Sequence, residues 1–455
     1  MATRIICGTS TCGPTKRDLV KTPMAKPQIL VLADDDAARV FAQAGFSLCG
    51  ADNQKAQTAA VIIDARGPAG AKAGELARSL KGALGPRSGL FLAWTDAQSD
   101  YDSTHFDGSL DSTAPPASLA ARLHSSLRIA VMADEARLRF KSLAQFGGSP
   151  RPPNFKNVGA PRILVFGHPG RETLRLSAAL EARGAQTIAT FTSFTAFDYL
   201  HDGDFDGVAV LAHDETSPTL SFSAALRRNA RLFHLPCLVV GAAEHVNPDD
   251  AIRRGATDVS HPGDEDHAAE RLLQHVDEKR SRDAIALAFA AARAPQAMDQ
   301  ATGLYSQTFF RSHLDRLVAR AHETARPLGV ALVRIAPDSV TLSLRDGRGL
   351  DRIVGQAGAM LSRLVRAEDV AACLDRTTFA IAFPASDADA ADSAARRIAA
   401  VLECTAFDSG SATRPFDNDA PIQIKLQIAS ADVLSGESAR DFLARASARL
   451  PYERL

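Results

Sequence analysis

What this chain lacks narrows it first. None of its apolar runs approaches the roughly 18 residues of a membrane-spanning helix. Residues 1–23 mix polar, Gly, Pro and basic residues without an apolar stretch, so they do not read as a secretory signal. Met24 stands just before the first strand-like run, and 1–23 are expected to be a disordered extension or a mis-assigned start. The formal net charge is only -1, from 52 Lys+Arg against 53 Asp+Glu. That balance speaks against broad affinity for nucleic acid or membrane surfaces. Six cysteines (Cys7, Cys12, Cys49, Cys237, Cys373 and Cys404) form no C-x-x-C pair with zinc-ligand spacing. They read as reduced, structural thiols in a cytoplasmic protein. The histidines show no ligand spacing either; His213 and His261 read as loop residues.

What is present suits an ordinary globular protein. A length of 455 residues implies about three domains. A hydrophobic fraction of 45% is ample for their cores. Gln28–Ala33 is a short apolar run that ends in Asp34-Asp35-Asp36. Ala60–Ile63 closes on Asp64, Glu75–Leu84 has a helical pattern, and Leu90–Trp94 is apolar again. A long helix pattern runs from Ser118 to Phe146. Strands alternating with helices predict a parallel sheet covered on both faces, with acids at the strand ends where such sheets carry their sites. Gly147–Pro161 reads as a linker.

The pattern then repeats. Arg162–Phe166, Val208–Ala212 and Cys237–Gly241 read as strands, Ala256–Pro262 as a strand with its loop, and Glu265–Val276 as a closing helix. A helical connector follows from Asp277 to Ala294. Beyond it the order changes: helix Thr308–Ala325, strand Val330–Ile335, helix Leu350–Leu364, and a hairpin of Val370–Leu374 with Thr378–Phe383. Helix Ala388–Leu402, strand Gln423–Ala429 and helix Glu437–Ala448 complete the chain.

The two N-terminal units resemble response-regulator receiver domains. The resemblance implies two acids after the first strand to hold Mg²⁺ and an Asp at the end of the third to accept a phosphoryl group. A Ser/Thr and a Lys-Pro complete the switch. In the first unit Asp34 and Asp35 stand as the metal acids, Asp64 as phosphoacceptor and Thr95 as the hydroxyl. Lys-Pro is replaced by Ser109-Leu110-Asp111-Ser112. Mg²⁺ is expected only if this unit is competent. The second unit reads Gly167-His168-Pro169 after its first strand, with no metal acids, and Leu211-Ala212-His213-Asp214 at the acceptor position. Its His261-Pro262 stands where Lys-Pro would be. It is expected to be an interaction or dimerisation surface.

Asp299-Gln300-Ala301-Thr302-Gly303-Leu304-Tyr305 resembles the D-x-L-T-G-L-x-N opening motif of GGDEF domains, the cyclic-di-GMP synthase family, and the order of elements agrees for about 150 residues. The resemblance implies two Mg²⁺ ions held by carboxylates. Arg334 stands where one metal acid belongs and Thr377 where the second does; a guanidinium cannot ligate a metal. Leu342 takes the place of the guanine-reading asparagine, while Asp351 of the guanine pocket is kept. The Gly-Gly needed for close backbone approach to phosphates is Asp375-Arg376, and of the hairpin signature only Phe379 survives.

Arg366-Ala367-Glu368-Asp369, in contrast, keeps the R-x-x-D of the family's product-binding inhibitory site. An arginine can grip a guanine edge or a phosphate, and an aspartate can accept from guanine N–H groups. The family adds two further arginines, which spacing puts at Arg397 and Arg320. The resemblance implies a ligand bound as a stacked, intercalated dimer.

The expected organisation is an α/β chain: a disordered extension (1–23), a CheY-like doubly wound receiver unit (24–146), a linker (147–160) and a degenerate second receiver (161–280). A linker helix (281–298) and a degenerate GGDEF domain (299–455) follow. The GGDEF domain is α+β, nucleotidyl-cyclase-like, with a mostly antiparallel sheet. The expected function is a non-enzymatic cyclic-di-GMP effector and adaptor, a homodimer through its receivers. By family resemblance its partners would be an RcdA-type adaptor, a CtrA-type regulator and the ClpXP protease at a cell pole. The alternatives are a phospho-regulated diguanylate cyclase and a scaffold controlled by receiver phosphorylation alone.

Overall fold

The computed structural model describes residues 28–49, 58–148, 159–212, 219–336, 348–408 and 422–451. Residues 1–23, His213, Asp214 and Leu342 therefore lie outside the described residues.

The first unit comprises β1 (Gln28–Leu32), α1 (Asp35–Gln43), β2 (Leu48–Cys49), β3 (Thr58–Asp64), α2 (Gly70–Leu84), β4 (Ser88–Thr95), β5 (Gly108–Asp111) and α3 (Pro116–Leu143). Its sheet is parallel throughout, in the order β2-β1-β3-β4-β5. Successive side chains of β3 point to opposite faces. Ala60 and Ile62 therefore enter one core layer, and Val61 and Ile63 the other.

The second unit repeats the plan. It runs β6 (Arg162–Phe166), α4 (Arg171–Ala182), β7 (Gln186–Thr190), α5 (Ser193–Asp202), β8 (Gly207–Ala212), α6 (Thr219–Arg228), β9 (Cys237–Gly241), α7 (Pro248–Arg253), β10 (Asp258–Ser260) and α8 (Glu265–Ala291). The order β7-β6-β8-β9-β10 is again parallel, the doubly wound arrangement expected from the apolar strand runs. The separate closing helix and connector read from the sequence are one helix, α8, which ends at Ala291.

The third unit has β11 (Tyr305–Ser306), α9 (Gln307–Thr324), β12 (Leu328–Ile335), α10 (Arg348–Leu364), β13 (Val370–Cys373), β14 (Thr378–Pro384), α11 (Ala388–Glu403), β15 (Leu426–Asp432) and α12 (Ala439–Ala448). Its sheet runs β11-β13-β14-β12-β15, antiparallel except for the β11–β13 pair. The last strand begins three residues later than expected from the sequence, at Leu426, because its register is set by pairing Gly329–Ile335 with Asp432–Leu426. The opening motif is a turn: Asp299 accepts from the Thr302 amide and hydroxyl at 2.9 and 2.6 Å, and Gly303 takes φ +66°. α10 presses on this turn through Gly358. A Cβ there would lie 2.5 Å from the Thr302 Cβ.

Two long helices join the units. The N-terminal half of α3 buries Leu119 and Leu123 in the first unit. Further along, Met132 and Ala136 pack against Ile285 and Phe289 of α8. Its end places Phe140 and Leu143 in the core of the third unit beside Phe309 and Leu314 of α9. Met132, Ala136, Phe140 and Leu143 are spaced by four, four and three residues and share one side of α3, while Leu119 and Leu123 lie on another, so α3 shows no single apolar stripe along its length.

Candidate functional site

The R-x-x-D turn links the end of α10 to β13 and closes on itself. The Arg366 amide donates to the Asp369 carboxylate at 2.9 Å, and the Asp369 amide to the Arg366 carbonyl at 3.2 Å. Asp369 is buried and the Arg366 side chain is exposed. Burial, with the Glu368 charge beside it, pushes the Asp369 carboxyl up to about 7 against the pull of its backbone hydrogen bond and of Arg366 and Arg139.

The turn faces α3 of the first unit across a cavity of about 350 Å³. Arg366, Glu368 and Asp369 line one side; His124 and Arg128 of α3 line the other, with Arg326 and the 384–386 corner between. Ala385 in that corner holds φ +57°, a left-handed conformation uncommon outside glycine. Arg128 pairs with Glu368, Nε to Oε1 at 2.9 Å and Nη2 to Oε2 at 3.3 Å.

Eleven residues on, Arg139 donates to the main-chain carbonyls of Glu368 and Asp369, both at 3.2 Å. Eleven residues is close to three turns, so both arginines leave α3 on one side. Arg139 is fixed in turn. Its Nε donates to Glu135 at 2.9 Å, and its guanidinium lies 4.4 Å from the Phe289 ring centroid of α8. The same Glu135 oxygen meets His313 Nε2 of α9 at 2.9 Å, and His313 Nδ1 meets the Ser142 hydroxyl at 2.9 Å. Glu135, Arg139 and His313 are each almost wholly buried. Burial alone would raise the Glu135 carboxyl; the charges of His313 and Arg139 outweigh it and hold Glu135 below the usual carboxylate range.

The two other arginines expected at the site are not brought to it. Arg320 lies on α9 in an adjoining cavity, where its guanidinium is engaged by Asp134 at 2.8 Å and Glu323 at 2.9 Å. Arg397 is an exposed residue of α11 and does not line the 350 Å³ cavity. Counting from the hairpin fixed a helix position but not which way the helix turns that side chain. The arginines that do reach the turn, Arg128 and Arg139, come from another unit. Their shared face on the helix was the one signal for them in the sequence.

At the hairpin, Arg334 on β12 pairs across the sheet with Thr378 and donates to the Gln427 side chain at 2.7 and 3.0 Å and to the Pro451 carbonyl at 2.6 Å. Asp375 turns back to accept from the amides of Thr377 and Thr378, both at 2.9 Å. Arg376 pairs with Asp351 at 2.8 Å on the surface. Phe379 is fully buried. Among the described residues no group of three His, Cys, Asp or Glu side chains is placed to hold a metal ion.

The first unit carries a second expected site. Asp34 and Asp64 do come together, but around a guanidinium. Arg66 Nη2 lies 2.7 Å from Asp34 and 2.9 Å from Asp64, and its Nε donates to Asp64 at 3.0 Å. Asp34 also caps α1 through the Ala37 amide. Asp35 is exposed and outside the cluster. The residues fit an internal cation better than Mg²⁺, because the acids that would ligate the metal already share Arg66. The Arg66 hydrogen bonds draw the Asp64 carboxyl below its ordinary range; the Ala37 amide, then Arg66, do the same for Asp34. Thr95 is buried, with its hydroxyl 3.4 Å from the Leu110 carbonyl. Asp111, within the stretch Ser109–Ser112 expected where a receiver would carry Lys-Pro, is buried against His267 and Arg271 of α8. His261 is exposed.

Residues 296–452 match the family profile described as diguanylate cyclase, GGDEF domain. No curated protein matches the chain. Among solved structures it is similar to the FimX GGDEF domain from Pseudomonas aeruginosa, with 23% identity over 33% of this chain and 90% of that one, at a TM-score of 0.29. It is also similar to the GGDEF domain of DgcB from Caulobacter crescentus in complex with c-di-GMP, with 21% identity, 33% and 84% coverage and a TM-score of 0.30. A third is the diguanylate cyclase SiaD in complex with its activator SiaC from Pseudomonas aeruginosa, with 17% identity, 37% and 60% coverage and a TM-score of 0.30.

Proposed function

From a GGDEF domain at residues 296–452, we propose that this protein is a receptor for cyclic-di-GMP and not a synthase of it. The observation that carries the reading is the R-x-x-D turn. It presents an exposed Arg366 and a desolvated Asp369 to a cavity walled by a helix of a different unit. Arg366 offers two parallel donors to a guanine edge or a phosphate, and Asp369 accepts from guanine N–H groups. A ligand held there touches two units at once, so its binding energy can select one arrangement of the units over another.

The hairpin supports the second half of the proposal. Aligning a 3′-hydroxyl against an α-phosphate needs metal-bound carboxylates. Arg334 and Thr377 offer none, and Arg334 is spent on Gln427 and the Pro451 carbonyl. The two N-terminal units (24–146 and 161–280) are read as receivers whose role is docking; Arg66 between Asp34 and Asp64 speaks against Mg²⁺-dependent phosphoryl transfer there. The whole resembles PopA, a catalytically inactive two-receiver GGDEF protein. On that resemblance the output is recruitment of an RcdA-type adaptor, a CtrA-type regulator and ClpXP at a cell pole, by a homodimer.

Calorimetric titration of cyclic-di-GMP into the full chain tests the receptor reading. Binding in the micromolar range or tighter is expected, with loss of about 100-fold or more in Arg366→Gly, the scale of two charge-assisted hydrogen bonds. Equal binding by both proteins would refute the site. Incubation with GTP and Mg²⁺ should give no product above background, and Arg334→Asp alone should not restore it; turnover by the unaltered chain would reinstate the enzyme.

A further inference from the structure

Glu368, the residue just before Asp369, has no part in the R-x-x-D pattern, yet it is the acid most deeply engaged at the cavity. Its side chain is 5% exposed and takes the Nε–Nη2 edge of the Arg128 guanidinium through two parallel hydrogen bonds, a fork-to-fork pair. Arg128 itself is 51% exposed, so the partner that gives up more hydration is the carboxylate. Glu368 lines the same cavity as Arg366 and Asp369. For a ligand that brings phosphate, it is a charge of the wrong sign holding a cation of the right one. Arg139 grips the Glu368 and Asp369 carbonyls from behind, so the main chain of the turn stays in place when the side chain lets go.

We propose that Glu368 is a built-in competitor for the ligand: its carboxylate fills the phosphate position on Arg128 in the empty protein, and a phosphate of the bound nucleotide displaces it. Glu368 then sets the affinity of the site and couples occupancy to the contact between α3 and the R-x-x-D turn. The inference rests on the cyclic-di-GMP reading of this site. The exchange is anion for anion on one guanidinium, so the geometry that suits the carboxylate fork also suits two phosphate oxygens. The energetic consequence has an unusual sign. Removing a buried, well-paired acid weakens most proteins, but here it should strengthen ligand binding, because Arg128 no longer has to be won from Glu368.

The test is a double-mutant cycle read by cyclic-di-GMP titration of the full chain, using proteins that keep the wild-type unfolding transition. Glu368→Gln keeps the shape and removes the charge. It is expected to bind about tenfold tighter, the worth of one charge-assisted hydrogen bond. Glu368→Ala, which releases Arg128 altogether, should move affinity the same way and serves if the glutamine variant fails to fold. Arg128→Ala should weaken binding, and in its background Glu368→Gln should change the dissociation constant less than about twofold, since the interaction is gone. Binding by the Gln variant where the unaltered chain shows none would also support the competitor. If the unaltered chain binds and both Glu368 variants bind equally or more weakly, the competitor is refuted and the site survives. A gain that persists without Arg128 would also refute it, because simple repulsion by the acid would then be the cause. No binding by any of these proteins overturns the site and the competitor together.

Discussion

The GGDEF unit has two ends that treat charge in opposite ways. At the R-x-x-D turn the two acids, Glu368 and Asp369, are buried and the arginines that brace the turn are remote in sequence: Arg128 reaches Glu368, and Arg139 reaches the carbonyls beside it. At the tip of the hairpin the charges are exposed. Asp375 caps its own turn, and Arg376 and Asp351 meet at the surface. Electrostatic work needs groups held in place and shielded from water. The turn meets that condition and the hairpin does not. On the receptor reading, an end without synthase residues and an end with ligand residues belong to one scaffold, and the difference teaches that they are separated by which end is braced from outside.

The brace is where the largest effect is expected. Glu135 serves Arg139 and His313 together, at the junction of α3, α8 and α9. Glu135→Ala would leave Arg139 buried without its counter-charge. A loss of about 3–5 kcal/mol is expected from breaking such a pair from one side, with cyclic-di-GMP affinity falling as Arg139 releases the turn. Denaturant unfolding of the full chain measures the first and titration the second. A loss below about 1 kcal/mol would mean that the two ends do not differ in bracing.

That brace was the part least legible in the sequence. The parallel sheets could be read from apolar runs such as Ile29–Leu32 and Val208–Ala212, because strands covered on both faces need no polar alternation. The R-x-x-D pair could be read because both members lie within one turn. Arg128 and Arg139 could not, since their contacts cross about half the chain and depend on how α3 is seated. The same limit applied to Arg66. It is two residues from Asp64, but only the meeting of β1 and β3 brings Asp34 to its other side. Arg320 and Arg397 show the converse: spacing found the residues, and tertiary packing pairs one with Asp134 and leaves the other exposed, outside the cavity lining. The helix and the helical connector read on either side of Val276 and Asp277 run on as one helix, α8, because nothing between those residues ends a helix.

A middling effect should appear in pH. Asp369 moves from an ordinary 3.8 to about 7 on folding. Its folded form holds a proton over that interval and its unfolded form does not. The contribution to stability is therefore fully present below about pH 4 and is lost as pH rises through about 7. Ligand binding has the opposite sign, because guanine N–H donors need the ionised carboxylate. Affinity for cyclic-di-GMP should rise between pH 6 and pH 8 by up to about tenfold, as each unit below the pKa costs a factor of ten. His124, Arg128, Arg326, Glu368, Arg366 and Arg139 all face or approach this group. The comparison is made in His124→Gln, which removes the one imidazole among them. Asp369→Asn should bind weakly and without the slope. A slope unchanged in Asp369→Asn would assign the proton elsewhere.

The smallest effect is expected at the hairpin, and its smallness is the point. Arg376 and Asp351 are an exposed pair, 56% and 61% accessible, and water and salt screen such pairs almost completely. Arg376→Ala should leave the unfolding midpoint and the cyclic-di-GMP affinity unchanged at ordinary ionic strength. If instead it lowered affinity as much as Arg128→Ala does, the hairpin would be communicating with the turn through the β13–β14 ladder. The separation of the two ends would then be wrong. A null result at Arg376 beside a large one at Glu135 would fix the asymmetry as a property of burial and bracing, not of the number of charges each end carries.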